Sequence, residues 1–265
     1  MGCSSLTLNL ASALAHSGKR VMVLQENPPA FNSPSRFNSC VDFDLLDVVQ
    51  GRCSLHQVVR GEHEFSVLPA ARAMQTLSRL NEAEQQRFEN SLIEISSEIQ
   101  VLLVDAALLA GSATGVRSLA TGLPILLLVV DGTSSGITES YALIKKMSLE
   151  QGRAQFRIVV TKVADDFEAR SVFNNMDKVA RRHLGIRLDY FGYVPFDVKH
   201  QRATQLNKPV VEVFAASTSA KAYFKLAHKL VEIMLDEDSV SNDAPCMMQS
   251  WLRQSTLHIA SMEMV

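Results

Sequence analysis

The chain has 265 residues, of which 26 are Lys or Arg and 28 are Asp or Glu, for a formal net charge of −2. That balance removes any chain-wide electrostatic case for nucleic-acid binding, which shows as a clearly basic domain. Hydrophobic residues make up 47% and charged residues 20%, which fits a packed globular protein and excludes a disordered one.

Leu6, Leu10, Ala13 and Leu14 share one face of a helix that opens almost at the first residue. Ser17-Gly18 stops it, and Val21-Met22-Val23-Leu24 follows as a continuously apolar run. Such a run reads as a parallel strand covered on both faces. Residues 65–68 are a weaker strand candidate, and 82–99 predict a helix whose outer face is charged around Glu84–Arg87. Residues 101–104, 125–130 and 156–160 repeat the apolar-run pattern. Ala169, Val172, Phe173, Met176, Val179 and Ala180 then form one apolar helix face, and Ala222, Tyr223, Leu226, Leu230 and Met234 another. Strands alternating with helices predict an α/β fold, a mostly parallel sheet with helices on both faces joined by right-handed crossovers. No repeat and no Pro/Gly-rich linker interrupts 1–235, so one domain is expected there.

From Asp236 the chain turns acidic and polar, and 236–265 read as a tether followed by a short apolar-rich tail. Met247, Met248, Trp251, Leu252, Ile259 and Met262 fall on one side of a helix, with Gln249, Arg253 and Gln254 opposite. A membrane-surface or partner-docking helix is one reading; a helix packed on its own domain, or terminal disorder, is the other. No apolar run approaches the roughly 20 residues that span a bilayer, and no signal peptide is visible. The four cysteines, Cys3, Cys40, Cys53 and Cys246, form no CxxC pair, which argues against a zinc site or a disulfide framework and fits a reducing cytosol. A cytoplasmic protein is expected, with peripheral contact at the inner membrane as one reading of the tail.

In an open parallel sheet, ligands bind at the carboxyl ends of the strands. Three places there carry candidates. Gly2-Cys3-Ser4-Ser5 opens the first helix, where free N–H groups and the helix dipole both attract an anion; Ser4 or Ser5 as a helix N-cap is the commoner use of serine. Asp105 follows the 101–104 run, the place for a carboxylate that holds magnesium through its water shell, or for one that merely caps the next turn. Thr161-Lys162 follows 156–160 and suits the wall of a base pocket, although a lysine leaving a strand is usually just solvated. Histidines 16, 56, 63, 183, 200, 228 and 258 show no HxxxH or HxH spacing, so scattered surface or capping roles are the expectation. No GxSxG motif and no paired carboxylates support hydrolase or glycosidase chemistry.

Gly2-Cys3-Ser4-Ser5-Leu6-Thr7-Leu8-Asn9-Leu10-Ala11 resembles the phosphate loop and first helix of MinD/ParA-type P-loop ATPases, whose pattern reads GKGGVGKT and then a helix containing NLA. Asp44-Leu45-Leu46-Asp47-Val48-Val49-Gln50-Gly51-Arg52 with Ser54-Leu55, and Ile137-Thr138-Glu139-Ser140-Tyr141-Ala142-Leu143-Ile144-Lys145, resemble the FlhG/FleN branch, MinD-like regulators of flagellar number and placement. So do Arg182-His183-Leu184-Gly185, Leu188-Asp189-Tyr190-Phe191-Gly192, Val194-Pro195-Phe196-Asp197 and Lys208-Pro209-Val210-Val211. The likeness runs from residue 2 to about 235.

The resemblance implies a nucleotide-dependent homodimer that uses ATP and magnesium, and whose ATP state controls membrane or partner binding. The partners it implies are a FlhF-like GTPase, flagellar switch proteins and flagellar transcription regulators. It places Gly2, Cys3, Ser4, Ser5, Thr161 and Pro195 at the nucleotide, and Ser4 and Asp105 at the metal.

The departures from the pattern are concentrated at the site. Cys3 stands at the phosphate-loop lysine, so a charge-assisted contact of roughly 1.5–3 kcal/mol is absent. Gln25 and Asn27 stand where the family has an aspartate pair, and neither can act as a base. Thr161 replaces the asparagine that reads the base, and Ala106, Ala107 and Leu108 lack the Gly-containing switch. No catalytic residue is assigned. The resemblance makes the protein an ATPase by family, yet ATP hydrolysis is expected to be impaired or lost. By the same analogy a central strand would precede Met1, between 101–104 and 125–130. Either such a strand lies upstream of the stated start, or the two neighbours pair directly.

The leading reading is therefore a MinD-like regulator of the flagellum that acts through protein partners. The alternative is an active ATP-binding switch of MinD/ParA type in flagellar assembly or chromosome partitioning. DNA partitioning would need more than Arg170, Lys178, Arg181 and Arg182 on one helix, and a P-loop ligase of the dethiobiotin synthetase kind would need the lysine.

Overall fold

Gly18 adopts φ +80° just past the first helix, a left-handed conformation that glycine takes without a Cβ clash, and the four apolar residues that follow form a strand. The computed structural model describes residues 2–27, 43–62, 64–106, 118, 123 and 125–238. In chain order these form α1 (Cys3–His16), β1 (Val21–Gln25), α2 (Leu45–Val49), α3 (Leu55–Val58), β2 (Arg60–Glu62), β3 (Phe65–Pro69), α4 (Ala71–Thr76), α5 (Glu82–Glu98) and β4 (Val101–Asp105). After these come β5 (Leu127–Asp131), α6 (Ser134–Gln151), β6 (Phe156–Val163), α7 (Asp166–Leu184), β7 (Leu188–Pro195), α8 (Val198–Gln205), α9 (Val210–Val213) and α10 (Thr218–Asp238). The described residues fall into two compact units, one of 2–13 and 125–228, the other of 14–27, 43–62, 64–106, 118, 123 and 229–238.

In the unit that holds β1, the sheet order is β2-β3-β1-β4. β1 runs parallel to both neighbours, with Leu24 opposite Leu68 of β3 and Gln25 opposite Asp105 of β4. β2 is antiparallel to β3, a pairing that the sequence reading did not anticipate. Met22, Leu24 and Leu68 share a core with Leu45, Val49, Phe88, Leu92 and Ile95 from α2 and α5. Asp44 and Asp47 build the start of α2 through a capping box. Asp44 Oδ1 also accepts the Ala73 N–H and Oδ2 the Arg72 N–H, both at 3.1 Å, and Arg52 and Arg72 pair with the buried Asp47. The motif that resembles the FlhG/FleN branch thus staples α2 to α4.

In the other unit, β5, β6 and β7 form an all-parallel sheet in that order. α6 packs on β5, and α7 on β6 and β7. Thr133 and Asp165 cap the starts of α6 and α7 through their side chains. In β7, Phe191 is skipped in the pairing with β6, and a Cβ on Gly192 would stand 2.7 Å from Leu226 Cδ2. The bulge lets the strand pass close to α10.

Among the described residues β4 pairs only with β1, and β5 only with β6. Each ends the sheet of its own unit, and parallel pairing is present in both sheets. α10 continues through Asp238, three residues into the stretch read as tether. Cys40, Ala107, Leu108 and the tail residues Cys246, Met247, Met248, Trp251, Leu252, Ile259 and Met262 lie outside the described residues. No helix among the described residues is long and apolar enough to cross a membrane.

Candidate functional site

Gly2, Cys3, Ser4, Ser5, Thr161 and Pro195 belong to the unit of β5–β7, and Asp105 to the unit of β1–β4. Gly2 precedes α1 and its carbonyl accepts the Leu6 N–H at 3.2 Å. Gly2 and Cys3 are exposed, while Ser4 and Ser5 are half-buried. Both serines lie inside the first turn, one and two residues past the helix start at Cys3, so neither serves as the N-cap.

Polar side chains along α1 fix that turn in place. Asn9 Nδ2 donates to the Ser5 carbonyl at 2.8 Å, while its Oδ1 accepts the Val210 N–H at 2.6 Å. Ser12 Oγ donates to Glu212 at 3.2 Å, which ties the helix to α9. Ser5 Oγ lies 3.5 Å from His200 Nε2, and the same nitrogen lies 3.0 Å from the Tyr223 hydroxyl. His200 is 2% exposed and Tyr223 is fully buried. Burial, above all, holds the His200 pKa below the usual histidine value and pushes the Tyr223 phenol up.

Thr161 is buried, and its hydroxyl donates to the Val130 carbonyl at 3.4 Å. Lys162 is exposed, as expected of a lysine leaving a strand. Its backbone sits at φ +60°, uncommon for a residue with a Cβ, and its ammonium pairs with Asp131 at the end of β5. Burial is the largest single influence and works against the Asp131 carboxylate, but the hydrogen bonds from Lys162 and Thr133 and the Lys162 charge together outweigh it and the net shift is downward. A Cβ on Gly136 would lie 2.5 Å from Asp131 Cβ, so glycine is what lets α6 start against this aspartate. Pro195 closes β7 and is buried. The Phe196 N–H reaches back to the Val163 carbonyl at 2.8 Å, and Asp197 caps α8. Four hydrogen bonds, from Lys199 N, Ser219 N, Ser219 Oγ and Thr218 Oγ1, overcome its burial and hold the Asp197 pKa down at about 2.

In the other unit, Asp105 ends β4 and is 2% exposed. Asn27 Nδ2 donates to Asp105 Oδ1 at 3.1 Å, to the Asp105 carbonyl at 3.3 Å and to the Ala106 carbonyl at 3.1 Å. The Glu26 N–H donates to the Asp105 carbonyl at 3.1 Å, and Glu26 is itself buried. Among the described residues no group of three or more His, Cys, Asp or Glu is placed to hold a metal ion. Arg170 and Arg181 on α7 each pair with a carboxylate one turn earlier, Asp166 and Asp177.

Sequence reasoning missed Glu26 and His200. Only the intervening position between Gln25 and Asn27 pointed to Glu26. His200 shares a helix face with Ala203, three residues on and buried, a spacing that marked it as inward-facing. Chemically, the N–H groups and dipole at the start of α1 suit an anion, and among the described residues no general acid, base and cation of phosphoryl transfer are grouped there.

No protein-family model matches the chain. The antiactivator FleN of Pseudomonas aeruginosa is 32% identical over 231 residues, covering 87% of this chain and 82% of that protein. The chain belongs to the MinD/ParA-type P-loop ATPases, in the FlhG/FleN branch. Solved structures agree in fold. MinD of Aquifex aeolicus superposes with a TM-score of 0.65 at 18% identity over 87% of this chain and 92% of that one. MinD of Pyrococcus horikoshii, complexed with Mg-ADP, gives 0.58 at 17% over 88% and 92%. The chain is thus a MinD/ParA-family regulator, and its α/β architecture with parallel sheets flanked by helices is the one expected.

Proposed function

We propose that this chain is a FlhG/FleN-type regulator of flagellar number or placement that acts through protein partners, takes ATP weakly, and does not turn it over at a useful rate. The observation that carries the reading is the neutral Asn27 amide clamped on Asp105 Oδ1, at a position where the family has an aspartate. A side chain that donates three hydrogen bonds to the end of β4 cannot also accept a proton from attacking water. Cys3 supports the same reading from the other unit. It offers no ammonium to the β- and γ-phosphates, while the N–H groups of the first turn still suit a phosphate.

FleN is named an antiactivator, which favours partners drawn from transcription regulation, beside a FlhF-like GTPase and switch proteins. On this reading Ser4 and Asp105 are the magnesium positions, Gly2, Ser5, Thr161 and Pro195 line the nucleotide, and the tail gives peripheral membrane contact. Two measurements together test it. Purified protein is assayed for phosphate release from ATP, and flagella are counted in cells lacking the gene and in cells complemented with it. Background turnover with altered flagellar number on deletion is expected. Turnover that Asp105→Ala abolishes, or deletion without effect on flagella, overturns the reading.

A further inference from the structure

The start of α1 is touched by one buried titratable group. His200 sits in the first turn of α8 with its Nε2 3.0 Å from the Tyr223 hydroxyl of α10 and 3.5 Å from Ser5 Oγ of α1. The His200 and Tyr223 rings stack with centroids 5.8 Å apart, which fixes the imidazole plane. The neutral imidazole has one donor and one acceptor nitrogen, and in this setting Nε2 serves two hydroxyls.

We propose that His200 is a positioning residue for the first turn of α1, and that an anion bound at that turn draws a proton onto its imidazole. The inference rests on the reading that α1 opens a nucleotide site. A protonated Nε2 donates and no longer accepts, so it presents a hydrogen to Ser5 Oγ and brings a positive charge to the phosphate end of a helix whose loop cation is a cysteine. Negative charge at that end stabilises imidazolium, and by linkage the anion binds more tightly as pH falls.

The groups that face His200 set the balance. Burial is the largest and favours the neutral ring, and Asp197 at the head of α8 opposes it. From α10 the facing group is the Tyr223 phenol, which burial pushes up, and from α1 it is the Ser5 hydroxyl. The imidazole is therefore the group of this cluster whose charge an anion at the first turn would bias.

The test is calorimetric titration of the full chain with ATP at pH 6, 7 and 8, each in two buffers of different protonation enthalpy, set beside His200→Gln. Because ATP itself titrates in this range, the comparison reads the difference between the two proteins. ATP binding by the native chain is expected to strengthen as pH falls, by up to about tenfold per unit more than in His200→Gln, with extra proton uptake. Should the variant fail to fold, the His200 ring resonances of the native chain are followed through a pH titration with and without ATP; an upward-shifted midpoint with ATP is the expected result. ATP binding with equal pH dependence in both proteins, or an unshifted ring midpoint, overturns the inference and leaves the nucleotide reading standing. No ATP binding at any pH overturns both.

Discussion

Restoring a cation at the phosphate end of α1 isolates the loss that matters most for nucleotide affinity. Cys3 is exposed and is the first residue of the helix, so Cys3→Lys adds a long side chain without displacing the core. A lysine in the first turn opposes the helix dipole, at a cost of about 0.3–1 kcal/mol. Against that stands a charge-assisted contact to phosphate of roughly 1.5–3 kcal/mol. The net gain for ATP is then about 0.5–2.7 kcal/mol, roughly two- to hundredfold in Kd. Calorimetry of both proteins at one pH and salt concentration measures it, with thermal unfolding as the control on the fold. Turnover is expected to stay at background, because Gln25 and Asn27 are untouched. Unchanged ATP affinity in a folded Cys3→Lys protein would refute the placement of Cys3 at the lysine position.

Three further outcomes follow from the packing. Asp44→Ala leaves the N–H groups of Leu46, Arg72 and Ala73 without their acceptor and is expected to destabilise the β1–β4 unit by roughly 3 kcal/mol or more, read as a shift in the urea midpoint; a shift under 1 kcal/mol contradicts the stapling role. Gly136→Ala places a Cβ 2.5 Å from Asp131 Cβ and 2.8 Å from its carbonyl oxygen, so a loss of about 1–3 kcal/mol is expected, checked by thermal melting. Asp197, held down at about 2, stabilises the fold fully above the unfolded carboxylate value near 3.9 and less as pH falls through about 2. Asp197→Asn should therefore flatten stability between pH 4 and 2 relative to the native chain in acid titrations, and an unchanged acid limb counts against it.

The fold was legible where periodicity is unbroken. The runs at 21–24, 101–104 and 156–160 became β1, β4 and β6, and the stripe from Ala169 to Ala180 became the inner side of α7. β7 was harder to see as a strand, because Asp189, Tyr190 and Gly192 break its apolar run and the skipped Phe191 shifts its period. β2 is three residues, Arg60, Gly61 and Glu62, too short and too polar to carry a pattern. At the site, composition identified Asp105 and the opening of α1 but not their surroundings. Whether Asn27 faces Asp105, or a histidine on α8 reaches Ser5, depends on elements 78 and 195 residues apart in sequence, which local pattern does not encode.

The neutral residues at 25 and 27 and the buried carboxylate at 26 belong to one electrostatic arrangement. Asp105 is already 2% exposed, and a second carboxylate at position 27, within hydrogen-bond distance of its Oδ1, would set two like charges side by side away from water. Without a metal ion between them, one of the two would have to take up a proton. The Asn27 amide removes that repulsion and gains three donor contacts in its place. The end of β1 is in this way clamped on the end of β4.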